Sequence, residues 1–289
     1  MSTRSPHRLR LLFCGLLVGG LPWASTATAH GDVEGIITAI SQEIAQAPTV
    51  DLLLLRARLH LEHGDHASAL MDCARAHLRT TADPVAAAAV ARCLGQVLLA
   101  DDQDEAALAA IDRSLALQPD DGETLELRAQ ALRQLDRADD ALHTYDRRES
   151  CLPPPQPQFY VDRLAAQRAG ERPVAEQLAG LDQGLRRLGS LVVLEEASVQ
   201  IEVDAGLTNA ALTRLDRLTR HAVRPETWLV QRGDLLRRLG RLHDALVAYR
   251  AAVAAIEQLP PTRRQTAATQ SLCQRAQNNL AILTLESSP

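Results

Sequence analysis

Apolar and polar positions follow a helical period through most of the chain. Ile36, Ile37, Ile40 and Ile44 fall on one face of a helix predicted from Asp32 to Gln46, ahead of Pro48. Beyond it, one spacing of small, turn-forming and larger residues recurs. Ala57 is followed by Gly64, Ala69, Cys73 and Ala76, and at the same offsets Gly95 is followed by Asp102, Ala107, Ile111 and Ser114. Ala129 is followed by Asp136, Ala141, Tyr145 and Arg148, and Gly233 by Gly240, Ala245, Tyr249 and Ala252. Gly95 and Ala129 stand 34 residues apart, as do Pro119 and Pro153. A fifth, weaker unit places Val199 ahead of Gly206, Ala211, Leu215 and Leu218. The sixth and weakest lies around Gly170, Ala175 and Ala179, with an insertion expected near Pro173. A last helix is predicted over 262–285, with Leu272, Ala276, Leu280 and Ile282 or Leu283 inward.

The spacing has a physical reading. A small residue at the first position lets two antiparallel helices approach closely. Gly or Asp seven residues on ends the first helix. The next small residue marks the crossing on the second helix, and the larger one, a turn later on the same face, fills the gap. This helix–turn–helix of 34 residues resembles the tetratricopeptide repeat family. The resemblance covers roughly residues 50–260 and implies an all-α, right-handed superhelical solenoid of about six antiparallel helix pairs. Residues 30–49 and 261–289 would cover its two ends, since a solenoid needs such caps. The Pro-rich run 152–157 is either an elongated loop between units or a soft joint.

Composition fits this picture. Aromatics are only 2% of the chain, which disfavours a sandwich or barrel. All 31 basic residues are Arg against 36 acids, and the net charge of −5 argues against a general nucleic-acid binder. Arg4, His7, Arg8 and Arg10 precede the apolar run Leu11–Ala24, which is too short and Gly-rich for a membrane span, and Ala27-Thr28-Ala29 matches a cleavage site. Residues 1–29 therefore read as a Sec-type signal peptide, with an uncleaved anchor as the alternative. The mature protein would begin at His30 in the periplasm or outside the cell, with no membrane span. Charge is uneven: residues 30–150 hold 11 Arg and 22 acids, and residues 151–289 hold 17 Arg and 14 acids.

Catalytic signatures are missing. No phosphate loop, nucleophile elbow or zincin motif occurs, so the chain reads as non-enzymatic and without a cofactor. His60, His63 and His66 cluster around the turn at Gly64 and read as structural or solvated. His30 is the one metal candidate. As a mature N-terminus its amine and imidazole would chelate a copper-type ion together, with a further ligand from elsewhere. Cys73 and Cys93 fall on helices that should touch, either as a disulfide or as two buried thiols.

In the resembled family, first-helix residues line a concave binding face. By offset, the candidates here are Arg92 and Gln96, then Glu126, Gln130 and Arg133, and in the last clear unit Asp234, Arg237 and Arg238. The Lys- and Asn-based chaperone clamp of some members is excluded, because the chain has no Lys. The expected function is a periplasmic or secreted scaffold for a protein or peptide partner. The alternative is a metal-handling accessory protein using His30. Weak self-association, the acidic half of one copy against the basic half of another, is a further expectation.

Overall fold

The structure, a computed structural model, describes residues 24–80 and 83–286. These residues form fifteen helices and no strand. After α1 (Ala24–Gln46) come six antiparallel pairs: α2 (Val50–Glu62) with α3 (His66–His77), α4 (Pro84–Ala100) with α5 (Asp104–Leu117), and α6 (Gly122–Gln134) with α7 (Ala138–Glu149). The series continues with α8 (Pro157–Ala169) and α9 (Val174–Leu188), α10 (Val192–Asp204) and α11 (Thr208–His221), and α12 (Glu226–Arg238) and α13 (Leu242–Glu257). The short α14 (Pro261–Arg264) leads into α15 (Ala267–Glu286), which packs on α13.

One turn closes all six pairs. Gly64, Asp102, Asp136, Glu171, Gly206 and Gly240 each adopt a left-handed backbone. The amide after each reaches back five residues, from Asp65 to the His60 carbonyl (2.8 Å) and likewise from Gln103, Arg137, Arg172, Leu207 and Arg241. This is the Schellman closure, which satisfies carbonyls that a helix end leaves open. Asp tolerates that backbone better than most side chains, hence its alternation with Gly at this position.

The crossings lie where the spacing puts them. Ala57, Ala69, Ala107, Ala129, Ala141, Ala211 and Ala245 are fully buried. At Gly95 and Gly233 the approach is so close that a Cβ would sit 2.5 Å from Ile111 and 2.6 Å from Tyr249. The pair α8–α9 departs from the expectation. Its left-handed residue is Glu171, whereas Gly170 keeps an ordinary backbone, and Ala175 and Ala179 are exposed rather than at a crossing. The partners are inverted: the large residue, Tyr160, stands on the first helix, and Gly184 on the second leaves room for its ring. A large–small exchange across the interface keeps the filled volume, so the pair still closes.

Both ends are covered. α1 begins at Ala24 rather than Asp32, and it buries Ile40 and Ile44 against α2. At the far end the single helix expected over 262–285 is broken, because the Thr266 hydroxyl accepts from the Thr269 amide and starts a new helix. Ala276 and Leu283 are buried as expected, and Ile282 is exposed. Across the Pro-rich run the core is continuous. Tyr145 meets Phe159 edge-on at 5.2 Å, and Cys151 and Pro155 are buried beside them. Residues 1–23 of the expected signal peptide lie outside the described residues.

Candidate binding site

The predicted binding residues sit on first helices: Arg92 and Gln96 on α4, Glu126, Gln130 and Arg133 on α6, and Asp234, Arg237 and Arg238 on α12. Several are already engaged from one unit to the next. Arg92 donates to Glu123 (2.7 Å) and Asp121 (3.1 Å), Arg133 donates to Asp162 of α8 (3.2 Å), and Asp234 accepts from Arg275 of α15. Glu126 accepts from the buried Arg148 (2.7 Å). These bonds neutralise much of the mixed-sign face along the stack. Gln96 and Gln130 are half-buried.

Arg237 and Arg238 differ from these. Both are exposed, and neither side chain makes a hydrogen bond or ion pair among the described residues. Asp234 and Asp244, the acids near them in sequence, are occupied: Asp244 pairs with Arg241, and Asp234 accepts from Tyr249 (2.6 Å), Arg275 and Asn279.

A second arginine series runs between the second helices and was not anticipated from sequence. Arg56, Arg128, Arg163 and Arg232 each stand eight residues before the left-handed residue of their turn. Arg128 donates to Asp112 of α5 (2.8 Å) and Thr144 of α7 (2.6 Å), and Arg163 donates to Asp146 of α7 (2.6 Å) and Gln183 of α9 (3.0 Å). Arg56 joins Ser41 of α1 to Asp72 of α3, and Arg232 reaches Asp216 of α11. Each guanidinium therefore lies in the seam beside a second helix, where its planar fork holds side chains from both sides or one. The signal available in sequence was an Arg at that offset before the turn, with an Asp 16 or 17 residues upstream in three units.

The second and fifth units lack this arginine: Leu94 stands before Gly95, and Ser198 before Val199. Ser198 occupies the position and spends its hydroxyl on the Leu194 carbonyl (2.9 Å). Arg214 of α11 reaches in instead, donating to Asp182 of α9 (3.2 Å), Glu202 (3.0 Å) and Glu195 (3.3 Å) of α10. Burial alone would lower the Arg214 pKa; the bonds and charges of Glu202 and Asp182 outweigh it, and the net direction is upward. The seam between α9 and α11 is left as an open groove of about 840 Å³. Its floor is acidic and buried, since Glu195 and Glu202 are 2% and 4% exposed, and Glu202 Oε2 has no hydrogen-bond partner. Its rim is basic and exposed: Arg186, Arg217 and Arg220. Beyond Arg217 the groove opens onto an apolar shelf bordered by Val192, Leu218, Val223 and Trp228.

The histidines do not converge. His60 lies 3.7 Å from Asp65, His63 3.9 Å from Glu34 and His66 3.2 Å from Asp101. No group of three potential metal ligands gathers among the described residues, and the side chain of His30 lies outside them. Cys73 and Cys93 are buried free thiols in contact, with Cys73 donating to the Cys93 sulfur at 3.4 Å. No helix among the described residues is long and apolar enough to cross a membrane.

Stacked antiparallel helix pairs closed by one repeated turn define a helical-repeat solenoid, a class that works as a protein-interaction scaffold. Residues 197–260, spanning α10 to α13, match the family model described as tetratricopeptide repeat. The helix pairs α10–α13 are thus similar to tetratricopeptide repeats, and the other pairs close with the same turn. Two solved structures share the fold. A tetratricopeptide repeat protein from Parabacteroides merdae is 14% identical over 88% of this chain and 96% of its own, with a TM-score of 0.50. The C-terminal part of a TPR repeat-containing protein from Cytophaga hutchinsonii is 11% identical over 92% of this chain and 96% of its own, with a TM-score of 0.51. No curated protein matches the chain in sequence.

Proposed function

We propose that this protein is a non-enzymatic scaffold that holds a protein or peptide partner outside the cytoplasm, after removal of residues 1–29. The exposed Arg237–Arg238 pair carries this reading. Two adjacent guanidiniums on a first helix, with every nearby acid already paired, offer bidentate sites to carboxylates of another molecule. The leader-like start of the sequence supports the location.

The test is cross-linking of the tagged full chain in intact cells of its source, followed by purification from the envelope and identification of what is attached. A specific adduct that disappears in Arg237→Gln/Arg238→Gln supports the scaffold. Retention of the same adduct by that variant removes the pair from the interface. N-terminal sequencing of the same material should begin at His30, and a cytoplasmic protein starting at Met1 or Ser2 would end the exported reading.

A further inference from the structure

We propose that the groove between α9 and α11 docks an acidic peptide segment of a partner, with an apolar side chain following the acids onto the shelf at Val192 and Val223. The inference rests on the scaffold reading but assigns a different surface from the first-helix face.

Three observations carry it. First, the groove exists because the repeat is broken there. In neighbouring seams a first-helix arginine lies between consecutive second helices, whereas Ser198 is too short to do so. Second, burial has sorted the charges. The carboxylates of Glu195 and Glu202 lie on the floor facing Arg214 and Arg217, the half-exposed Asp182 is paired with Arg214, and Arg186 and Arg220 stand exposed at the rim. Arg186 makes no hydrogen bond or ion pair among the described residues, and Arg220 is bound only to the Asp216 carbonyl, so an arriving ligand meets uncommitted cations. Third, the groove continues onto the exposed apolar shelf at Val192 and Val223.

Together these features select a peptide over a bare anion. Inorganic phosphate at pH 7 would satisfy the rim but leave the shelf uncovered, whereas a peptide brings apolar side chains along with its carboxylates. The shelf adds an apolar requirement: Val192 and Val223 are 61% and 94% exposed above the buried Trp228. Exposed apolar surface beside a basic groove fits an acidic segment that ends in leucine-like side chains.

The experiment is fluorescence anisotropy on the full chain with a fluorescein-labelled probe, Asp-Glu-Asp-Glu-Leu-Leu. The expected result is saturable binding that weakens as salt rises, because exposed charges are screened over a Debye length of about 8 Å at physiological strength. Arg186→Gln/Arg220→Gln should weaken it by roughly tenfold, the loss of two charge-assisted contacts. Thr213→Trp, a neutral plug at an exposed lining position, should abolish it while the helical circular dichroism and melting midpoint stay those of the parent. Arg113→Gln, at an exposed arginine of α5 outside the groove, should leave it unchanged. The proposal is overturned by any of four results: no saturable binding, equal binding by the plugged protein, equal affinity for the Lys-substituted probe, or displacement by inorganic phosphate at concentrations comparable to the peptide. An Arg237/Arg238-dependent envelope adduct alongside any of these would leave the scaffold standing and remove only the groove.

Discussion

Replacing Gly233 by Ala tests the repeat geometry at its tightest point in the last pair. The new Cβ would lie 2.6 Å from Tyr249 Cε1 and within 2.9 Å of two more ring atoms. Carbon atoms rest comfortably about 3.5–4.0 Å apart, so the ring must retreat by roughly 1 Å. It is poorly placed to do so. Tyr249 is fully buried, and its hydroxyl donates to Asp234, which also accepts from Arg275 of α15. Overpacking a filled core costs about 1–3 kcal/mol, and the better helix propensity of Ala returns about 1 kcal/mol. The expected net loss is about 1 kcal/mol, or a fall in Tm of roughly 2–4 °C for a chain of this class. Gly35 is the matched control: it lies in α1, a Cβ there meets nothing within 4 Å, and Gly35→Ala should gain up to about 1 kcal/mol. In a Tyr249→Leu background the penalty at Gly233 should shrink or change sign, as coupled neighbours require. Stability in a solenoid is distributed over units, so hydrogen exchange of α12 and α13 should accompany the melting curves. Equal stability of Gly233→Ala and Gly35→Ala, or an undiminished penalty without the tyrosine ring, would refute the close-approach account.

Three further outcomes follow from the same packing. Ala107→Arg and Ala141→Arg, each placing a charge at a fully buried crossing, should destabilise by about 3 kcal/mol or more; unchanged melting midpoints would contradict the repeat register. Diamide treatment should join Cys73 to Cys93, seen in mass spectrometry as the loss of two hydrogens, and cross-linking the 73–93 loop should add roughly 3 kcal/mol. Slow reaction is expected because both sulfurs are buried away from the reagent, and a Cys73→Ala protein should show no such product. All three tyrosines resist ionisation: burial first, then Glu149, pushes Tyr160 up to about 12, and burial raises Tyr145 and Tyr249 as well. Their raised pKa values mean a stabilisation present below the ordinary value of about 10 and lost as pH climbs through the folded values, so an absorbance titration should show no tyrosinate step near pH 10 in the native protein.

What the sequence made legible was local. Helix, turn and crossing depend on residues within one unit, and the offsets from Ala57, Gly95, Ala129 and Gly233 therefore located the left-handed turns and buried crossings directly. The α8–α9 pair was misread because its crossing keeps the volume but swaps its owners: Tyr160 is on the first helix and Gly184 on the second. A search for small residues at a fixed offset cannot register that exchange. The C-terminal break at Thr266 was missed for a related reason, since one side-chain cap outweighed a continuous apolar period.

The surface was harder to read, because its chemistry depends on which units become neighbours. Arg92, Arg133 and Asp234 have the composition of a binding face, yet they have partners 29 to 41 residues away, at the start of α6, on α8 and on α15. Offset alone assigns such residues to the face without saying that the face satisfies itself. The groove inverts this lesson. Its signal is a departure from a pattern: Arg stands at one offset in four units, Leu94 in the second and Ser198 in the fifth. A repeat can lose one cross-seam arginine only if something else meets the buried carboxylates. Here Arg214 meets Asp182, Glu195 and one oxygen of Glu202, and the other oxygen is left with no donor. Places where a sequence breaks its own rule without full compensation are where function is most often lodged. In this chain that reasoning selects the α9–α11 seam over the more conspicuous first-helix face, because the seam combines a missing arginine, uncommitted cations and an exposed apolar shelf.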